Sequence, residues 1–368
     1  MSKTVLHVVG ARPNFMKVAP IHRAIQALGK LEQRLIHTGQ HYDTNMSDVF
    51  FAELGLPEPD LSLGIGSGSH AEQTARVMIE LERVLGQNRP HLVSVVGDIN
   101  STMAAALVCA KMRIPLAHVE AGLRSRDRSM PEEINRLVTD QLADLLLTPS
   151  TDANENLRRE GIPAERIFFV GNVIIDSLLA SRRRAQQLDT LNQLGLRREQ
   201  YAICTLHRPS NVDDPQTLSS IVCAVAEIAE RLPVVFPVHP RTRRRMEESG
   251  LAGHGRAPNG LRLVEPMGYL PFLALVSQAR LILTDSGGLQ EESTTLGVPC
   301  LTLRENTERP ITVELGTNVL VGTNPERIRT EAAKVLEGKG KTGRIPEKWD
   351  GRTGERIAVV FERALGVD

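Results

Sequence analysis

The sequence predicts an α/β protein with two doubly wound parallel-sheet domains. Two observations lead to this fold class. Short apolar runs bounded by Gly, Pro or His alternate with longer helical patterns, and strands that alternate with helices form parallel sheets covered on both faces. The alternation occurs in two successive sets, and 368 residues are enough for two domains of similar size.

Each set contributes six candidate strands. The first set is Val5–Val9, Leu35–His37, Leu92–Val96, Leu116–Val119, Leu145–Leu147 and Ile167–Val170. The second is Ala202–Leu206, Val234–Val238, Leu261–Val264, Leu281–Leu283, Cys300–Leu303 and Val319–Val321. Helical patterns between them include Ala71–Leu85, Thr102–Lys111, Glu133–Ala143, Leu218–Glu230 and Glu291–Leu296.

The domain boundary is expected in the polar, Arg- and Gln-rich stretch Ser181–Gln200. We therefore expect an N-terminal domain of residues 1–180 and a C-terminal domain of residues 181–354. A charged, Gly-rich loop, Glu337–Gly354, precedes a last amphipathic helix of roughly Glu355–Leu365.

The charge balance argues against nucleic acid and anionic membranes as partners. Lys plus Arg and Asp plus Glu are equal at 44 each, so no net field would recruit a polyanion. The basic clusters Arg182–Arg184 and Arg241–Arg245 are interpreted as solvated helix faces. Val5–Val9 is too short for a signal-peptide core, and no stretch approaches a membrane span, so we expect a cytoplasmic protein.

The cysteines and histidines predict neither disulfides nor a metal site. Cys109, Cys204, Cys223 and Cys300 are scattered in apolar segments without C-x-x-C spacing, and we expect them to be reduced core residues. The histidines show no metal-binding spacing, so no metal is expected.

Polar residues follow the predicted strands one after another. In open parallel sheets, ligands bind outside the carboxyl ends of the strands. We therefore expect these groups to converge if both sheets point their carboxyl edges into one cleft, although each alone could be a cap or loop residue. The groups are Arg12, Asp98, Glu120, His207, His239, Asp285 and Arg304.

The segment Asp285-Ser286-Gly287-Gly288 predicts a strand-to-helix turn that can bind phosphate. Two glycines let an anion approach the backbone, and the helix start offers free N–H groups and a positive dipole end. Glu292 follows on the same helix face, where it could reach sugar hydroxyls. The alternative is a plain Gly-rich turn with a capped helix.

Pro131-Glu132-Glu133 has two interpretations as well. It is typical of any stable helix start, but near Glu120 it could supply a second carboxylate with a different acid–base role.

Other phosphate motifs fail. Gly340-Lys341-Thr342 resembles the end of a P-loop but has Val335 in place of the first glycine, and Gly64–Gly68 follows no predicted strand. No nicotinamide cofactor is expected.

Nine motifs in order resemble the non-hydrolysing UDP-N-acetylglucosamine 2-epimerases, over about residues 5–365. They are Gly10-Ala11-Arg12-Pro13 with Lys17, Gly97-Asp98, His118-Val119-Glu120-Ala121-Gly122-Leu123-Arg124, Pro131-Glu132-Glu133-Ile134-Asn135-Arg136, Gly171-Asn172, His207-Arg208, His239-Pro240, Asp285-Ser286-Gly287-Gly288-Leu289-Gln290-Glu291-Glu292 and Glu308-Arg309-Pro310.

The resemblance implies a GT-B-like fold, with two Rossmann-like domains, an active site in the cleft between them and a homodimer. It further implies that the final helix, at about residues 355–368, crosses back onto the first domain. It also implies the interconversion of UDP-N-acetylglucosamine (UDP-GlcNAc) and UDP-N-acetylmannosamine (UDP-ManNAc) without a cofactor. In that mechanism C2 loses its proton and UDP leaves C1, which gives 2-acetamidoglucal. UDP adds back after a proton returns to the opposite face.

Residue roles follow motif by motif. The resemblance makes Asp98, Glu120, Glu132 and His207 the catalytic acid–base set. It places Met267 near the uracil, Glu292 on the ribose and the Ser286-Gly287-Gly288 turn on the diphosphate. Arg12, Lys17 and Arg309 are also expected to hold the nucleotide.

Some positions depart from the family pattern. Asn14 replaces a common Glu, Met267 a common Gln, and Gln40-His41-Tyr42-Asp43 lacks the pattern of members that use a second substrate molecule as activator. Residues 37–43 also resemble the subgroup that epimerises UDP-2,3-diacetamido-glucuronate, which leaves this sugar as an alternative substrate. A hydrolysing 2-epimerase, a GT-B glycosyltransferase and a nucleotide-sugar sensor without catalysis are further alternatives.

Overall fold

The computed structural model describes residues 2–39, 55–251 and 260–367, and the chain divides into two compact units. The first unit comprises Met1–Ser177 and Glu347–Asp368, and the second comprises Leu178–Pro346. The segment Gln40-His41-Tyr42-Asp43, on which the activator question depends, lies outside the described residues.

The first unit is built on a seven-stranded parallel sheet in the order β3-β2-β1-β4-β5-β6-β7. Its strands are formed by Val-, Ile- and Leu-rich runs, as expected for a sheet buried on both faces. They are β1 (Lys3–Val9), β2 (Leu31–His37), β3 (Leu61–Ser62), β4 (Leu92–Val96), β5 (Leu116–Val119), β6 (Leu145–Thr148) and β7 (Ile167–Phe169). The helices of this part of the chain are α1 (Arg12–Leu28), α2 (His70–Gln87), α3 (Asn100–Met112), α4 (Pro131–Leu142), α5 (Thr151–Arg159) and α6 (Val173–Gln186).

The second unit contains a six-stranded parallel sheet in the order β10-β9-β8-β11-β12-β13. Its strands are β8 (Ala202–Thr205), β9 (Val234–Pro237), β10 (Leu261–Val264), β11 (Leu281–Thr284), β12 (Cys300–Thr302) and β13 (Asn318–Leu320). Its helices are α7 (Thr190–Gln193), α8 (Pro209–Val212), α9 (Pro215–Ala229), α10 (Pro240–Glu248), α11 (Tyr269–Val276), α12 (Gly287–Leu296), α13 (Pro310–Glu314) and α14 (Pro325–Leu336). The predicted class of doubly wound parallel sheets is confirmed in both units.

Both sheets have a topological switch point. In each, the chain starts in the middle, builds toward one edge, and then returns to build toward the other. The connections therefore leave in opposite directions after β1 and β4 in the first sheet, and after β8 and β11 in the second. The crevice that opens at such a point is where doubly wound sheets bind ligands.

The last helix, α15 (Thr353–Leu365), packs against α1 in the first unit. The segment before it is anchored by Trp349, whose indole N–H donates to the Pro149 carbonyl at 2.9 Å. At the helix start the Gly354 N–H donates to Asp176 at 2.7 Å. A Cβ at Gly354 would lie 2.6 Å from the Pro20 carbonyl oxygen, so only glycine permits this approach of the two helices.

Three of the four cysteines are buried as predicted, and the fourth is not. Cys109, Cys204 and Cys300 are buried, whereas Cys223 is exposed. The core face of α9 is formed by residues such as Leu218, Ile221 and Val225, and the helical period turns Cys223 away from them. Within the described ranges, no helix is long and apolar enough to cross a bilayer.

Two Gly→Ala substitutions in helices should have opposite effects on stability. Gly354→Ala should lower the free energy of unfolding by about 1–3 kcal/mol, because its methyl group overlaps the α1 backbone. Gly86→Ala in α2 meets no atom within 4 Å and should raise it by roughly 0.5–1 kcal/mol. Denaturant unfolding measures both. A stable Gly354→Ala variant would contradict this account of the helix contact.

Candidate active site

In the first unit, a buried amide ties the two strands of the switch point together. The Asn14 side-chain oxygen accepts from the backbone N–H groups of Gly10 and Ala11, at 3.2 and 3.0 Å, just after β1. Its Nδ2 donates to the Val96 carbonyl at the end of β4, at 3.0 Å. The carboxylate of a glutamate could accept the first two bonds but could not donate the third.

The loop after β4 is held by side chains at three successive carbonyls. Asn14 binds the carbonyl of Val96, His118 that of Gly97 at 2.9 Å, and Asn135 that of Asp98 at 2.8 Å. Because backbone polar groups are costly to bury unpaired, these bonds fix the loop conformation. Asp98 is therefore presented by a rigid backbone.

The Asp98 carboxylate is paired with Arg136, whose guanidinium is almost fully buried. Arg136 is oriented in turn by Glu133, with Nη2 and Nε at 2.7 and 3.0 Å from Oε2. Burial would raise the pKa of Glu133, but bonds from Ser125 and Arg136 outweigh it and hold the pKa below its usual value. Glu133 thus remains an anchor for Arg136, and Asp98 keeps a side chain that is 31% exposed.

The second carboxylate of this unit is Glu120, which forms a buried ion pair with Lys17 of α1. Glu120 has a backbone φ of 75°, a left-handed conformation that costs a non-glycine residue about 1 kcal/mol or more. A Cβ on the adjacent Gly97 would lie 3.4 Å from Glu120 Oε2 and 3.5 Å from Lys17 Nζ. The Asp98 loop and the Glu120–Lys17 pair are therefore neighbours, as the strand-end pattern predicts.

Two predicted residues of this unit are less defined. Arg12 is the first residue of α1, and its side chain lies outside the described part of the structure. Glu132 lies half-buried in the first turn of α4, and within the described residues it makes no hydrogen bond or ion pair.

In the second unit, Asp285 ties the switch point together and orients His207. The fully buried Asp285 carboxylate accepts from the backbone N–H groups of His207 and Arg208 at 3.0 and 2.9 Å, and from Asn211 Nδ2 at 3.2 Å. His207 Nδ1 lies 2.8 Å from the same carboxylate. Burial would raise the pKa of Asp285, but its bonds to His207 and Arg208 hold the pKa below its usual value. Asp285 therefore accepts from Nδ1–H, which leaves Nε2 of the half-exposed His207 ring for acid–base work.

The two glycines of the turn after β11 have different environments. A Cβ on Gly287 would lie 2.6 Å from Arg309 Nη1, so this glycine lets the arginine pack against the backbone. A Cβ on Gly288 would meet only Ser286 Oγ, at 4.0 Å. The start of α12 is thus open beside Gly288, where its unpaired N–H groups can receive an anion.

A buried cluster of charges lies against this turn. Glu308 binds Arg309 and Arg304, both at 2.7 Å, and Arg208 at 3.4 Å. Glu291 also pairs with Arg309 Nε, at 2.8 Å. Three guanidinium groups against two carboxylates leave an excess positive charge, which suits a phosphate group.

Glu292 is a buried carboxylate of the second unit with a raised pKa. It is 5% exposed, and burial raises its pKa to about 7. The Tyr269 hydroxyl donates to it at 3.2 Å. Met267, two residues before Tyr269, is half-buried against the neighbouring core. A buried carboxylate with so little hydrogen bonding is suited to receive hydroxyl donors from a ligand.

His239 is a strand-end residue that caps a helix. It is the N-cap of α10, and its Nδ1 accepts the Arg241 N–H at 3.3 Å. The strand-end pattern thus selects one plain capping residue. The strand-end pattern also missed four residues of the site, because none of them directly follows a strand. They are Asn14, Arg136, Tyr269 and Glu308. In the described ranges no three His, Cys, Asp or Glu side chains are grouped as metal ligands.

Comparison with known proteins places this site in a family. A family model described as UDP-N-acetylglucosamine 2-epimerase matches residues 23–362. The chain belongs to this family. The predicted enzyme class, a non-hydrolysing epimerase and hence an isomerase, is confirmed with it.

Two relatives and one crystal structure show how far the similarity extends. The chain is 45% identical to UDP-N-acetylglucosamine 2-epimerase of Methanocaldococcus jannaschii, over 96% of this chain and 97% of that protein. It is 43% identical to UDP-2,3-diacetamido-2,3-dideoxy-D-glucuronate 2-epimerase of Pseudomonas aeruginosa, over 92% and 94%. A crystal structure of the M. jannaschii enzyme in complex with UDP-GlcNAc and UDP matches with a TM-score of 0.89, covering 98% of this chain and 99% of that one. The predicted GT-B-like fold class is confirmed by this match.

Glu292→Gln should make the ligand-free protein more stable at neutral and alkaline pH. The folded pKa of about 7 exceeds the ordinary 4.5, so wild type loses stability as pH rises from about 4.5 through 7. The glutamine variant lacks this loss. The difference in unfolding free energy between variant and wild type should therefore grow by about 2–3 kcal/mol between pH 4.5 and 8.

Denaturant unfolding at several pH values measures this difference. Glu82→Gln on the exposed face of α2 is the control and should track wild type. A difference between Glu292→Gln and wild type that does not change with pH would show that Glu292 ionises normally.

Proposed function

We propose that the chain interconverts UDP-GlcNAc and UDP-ManNAc by eliminating UDP and adding it back. The observation that carries the proposal is the arrangement at the end of β11. There Asp285 orients His207, and the next three residues form the open turn at the start of α12. The end of β11 thus positions both an acid–base group and an anion site. A reaction that expels a diphosphate requires both.

In the proposed mechanism a base removes the C2 proton while UDP departs from C1. The glycal intermediate then receives a proton on the opposite face, and UDP adds back. Asp98, Glu120, Glu132 and His207 form the acid–base set. The buried partners of Asp98, Glu120 and His207 support these roles, because each of these side chains is held in place by an ionisable partner.

The nucleotide is held by the second set of residues. The turn from Ser286 through Gly287 to Gly288 receives the diphosphate, together with Arg309, Lys17 and Arg12. Glu292 accepts from the ribose hydroxyls, which would stabilise its ionised form and offset the cost of its burial. The backbone near Met267 contacts the uracil.

The sister substrate UDP-2,3-diacetamido-glucuronate is the second candidate. It is favoured by the P. aeruginosa relative, whose identity of 43% is close to the 45% of the M. jannaschii enzyme. A GT-B glycosyltransferase is a more distant alternative. We further propose a homodimer that acts in the cytoplasm and supplies a precursor of cell-surface polysaccharide.

The reaction can be tested by following UDP-GlcNAc in heavy water by NMR. The proposal expects deuterium at C2 and UDP-ManNAc as the product. The same assay with UDP-2,3-diacetamido-glucuronate shows which sugar turns over faster. Accumulation of free sugar would instead indicate a hydrolysing enzyme, and absence of exchange would exclude 2-epimerisation of these substrates.

Two variants should separate chemistry from nucleotide binding. Asp98→Asn should bind UDP within about threefold of wild type but lose turnover by several orders of magnitude, because a catalytic carboxylate is lost. Gly288→Ala should fold normally, since its methyl group meets only Ser286, yet bind UDP at least tenfold more weakly. Calorimetry and the exchange assay measure both. Full turnover in Asp98→Asn would remove Asp98 from the catalytic set.

A further inference from the structure

Directly behind the Asp98 loop, the first unit buries a charged network centred on His118. The His118 ring lies on β5 and is fully buried. Its Nδ1 is 2.6 Å from Asp140 Oδ1, and its Nε2 is 2.9 Å from the Gly97 carbonyl oxygen. Asp140 also accepts from Arg124 Nη1 at 2.7 Å and from the Gly122 N–H at 3.0 Å.

These contacts fix the ring between two oxygen atoms. Burial would raise the pKa of Asp140, but His118 and Arg124 outweigh it and hold the pKa below its usual value. Asp140 is therefore a carboxylate, and Arg124 and the Gly122 N–H hold it in place. The ring links this anchored carboxylate to the Gly97 carbonyl.

The network leads to both carboxylates that face the substrate in the proposed reaction. The carbonyl that His118 holds belongs to Gly97, whose φ of 70° sets the direction of the chain into Asp98. On its own strand, His118 is two residues before Glu120, whose left-handed backbone has a φ of 75°. The buried His118 ring thus restrains the backbone next to both Asp98 and Glu120.

We propose that His118 is a positioning residue of the reaction. Its two ring contacts, with Asp140 and with the Gly97 carbonyl, hold Asp98 and Glu120 at the spacing that proton transfer requires. This inference rests on the proposed function, because the distance between Asp98 and Glu120 matters only if both take part in the reaction. The simpler role, satisfying buried polar groups, would affect stability but not the rate of the chemical step.

His118→Gln tests the role through kinetics. A glutamine amide can donate to the Gly97 carbonyl but cannot reach Asp140 at the same time, because its polar atoms are at one end. We expect kcat to fall by roughly 10- to 100-fold, since displacement of catalytic groups by an ångström has effects of this size. KM and UDP affinity should stay within about threefold, because most of the proposed nucleotide-binding residues belong to the second unit.

Thr102→Val is the matched control. The Thr102 hydroxyl donates to the Val96 carbonyl at 3.1 Å, next to the one that His118 holds, and Asn14 binds the same oxygen. This variant should keep wild-type kcat. A His118→Gln variant with wild-type kcat, or one whose kcat falls no more than that of Thr102→Val, would overturn the inference.

Failure of this inference can be distinguished from failure of the proposed function. Wild-type protein that does not exchange the C2 proton defeats the proposed function. Wild-type protein that exchanges it, together with a His118→Gln variant that binds UDP and exchanges at the wild-type rate, defeats only the positioning role of His118.

Discussion

At each switch point, a buried side chain joins two neighbouring strand ends beyond the last backbone hydrogen bonds between the strands. The connections leave in opposite directions there, so carbonyl and N–H groups are left without ladder partners. One buried side chain meets this need in each unit: Asn14 joins the ends of β1 and β4, and Asp285 joins those of β11 and β8. The proposed acid–base residues depend on these two joints, because Asp98 follows one and His207 the other.

Several polar residues near these two buried side chains lower the stability of the fold. Glu120 has a left-handed backbone, Glu292 is buried with a raised pKa, and Glu308 gathers three arginines. An apolar replacement of such groups is often neutral or stabilising, so stability alone does not explain them. Their concentration at the carboxyl edges of the sheets is what a site that needs preorganised charges would show.

The sequence predicts the strands and the polar residues at their ends well. It predicts poorly which charged side chains pair with each other. Apolar runs between turn residues locate the strands, and parallel topology then places Asp98, Glu120, His207 and Asp285 at strand ends. The pairing of Lys17 with Glu120, 103 residues away, leaves no local signal. The network of α4 leaves no clear local signal either. The buried face of this helix includes Glu133, Arg136 and Asp140, at steps of three and four. Glu132 lies four residues before Arg136, so helical phase alone does not separate it from the structural Glu133.

The charge cluster of the second unit suits a leaving group that must also return. In the proposed reaction UDP is expelled from C1 and then attacks the intermediate, so tight binding of free UDP would oppose its re-addition. Arg309 faces the open turn already paired with Glu308 and Glu291. These carboxylates fix the guanidinium in place and also neutralise part of its charge. Precise placement with moderate attraction is what a diphosphate needs if it is to be held throughout the reaction and still react.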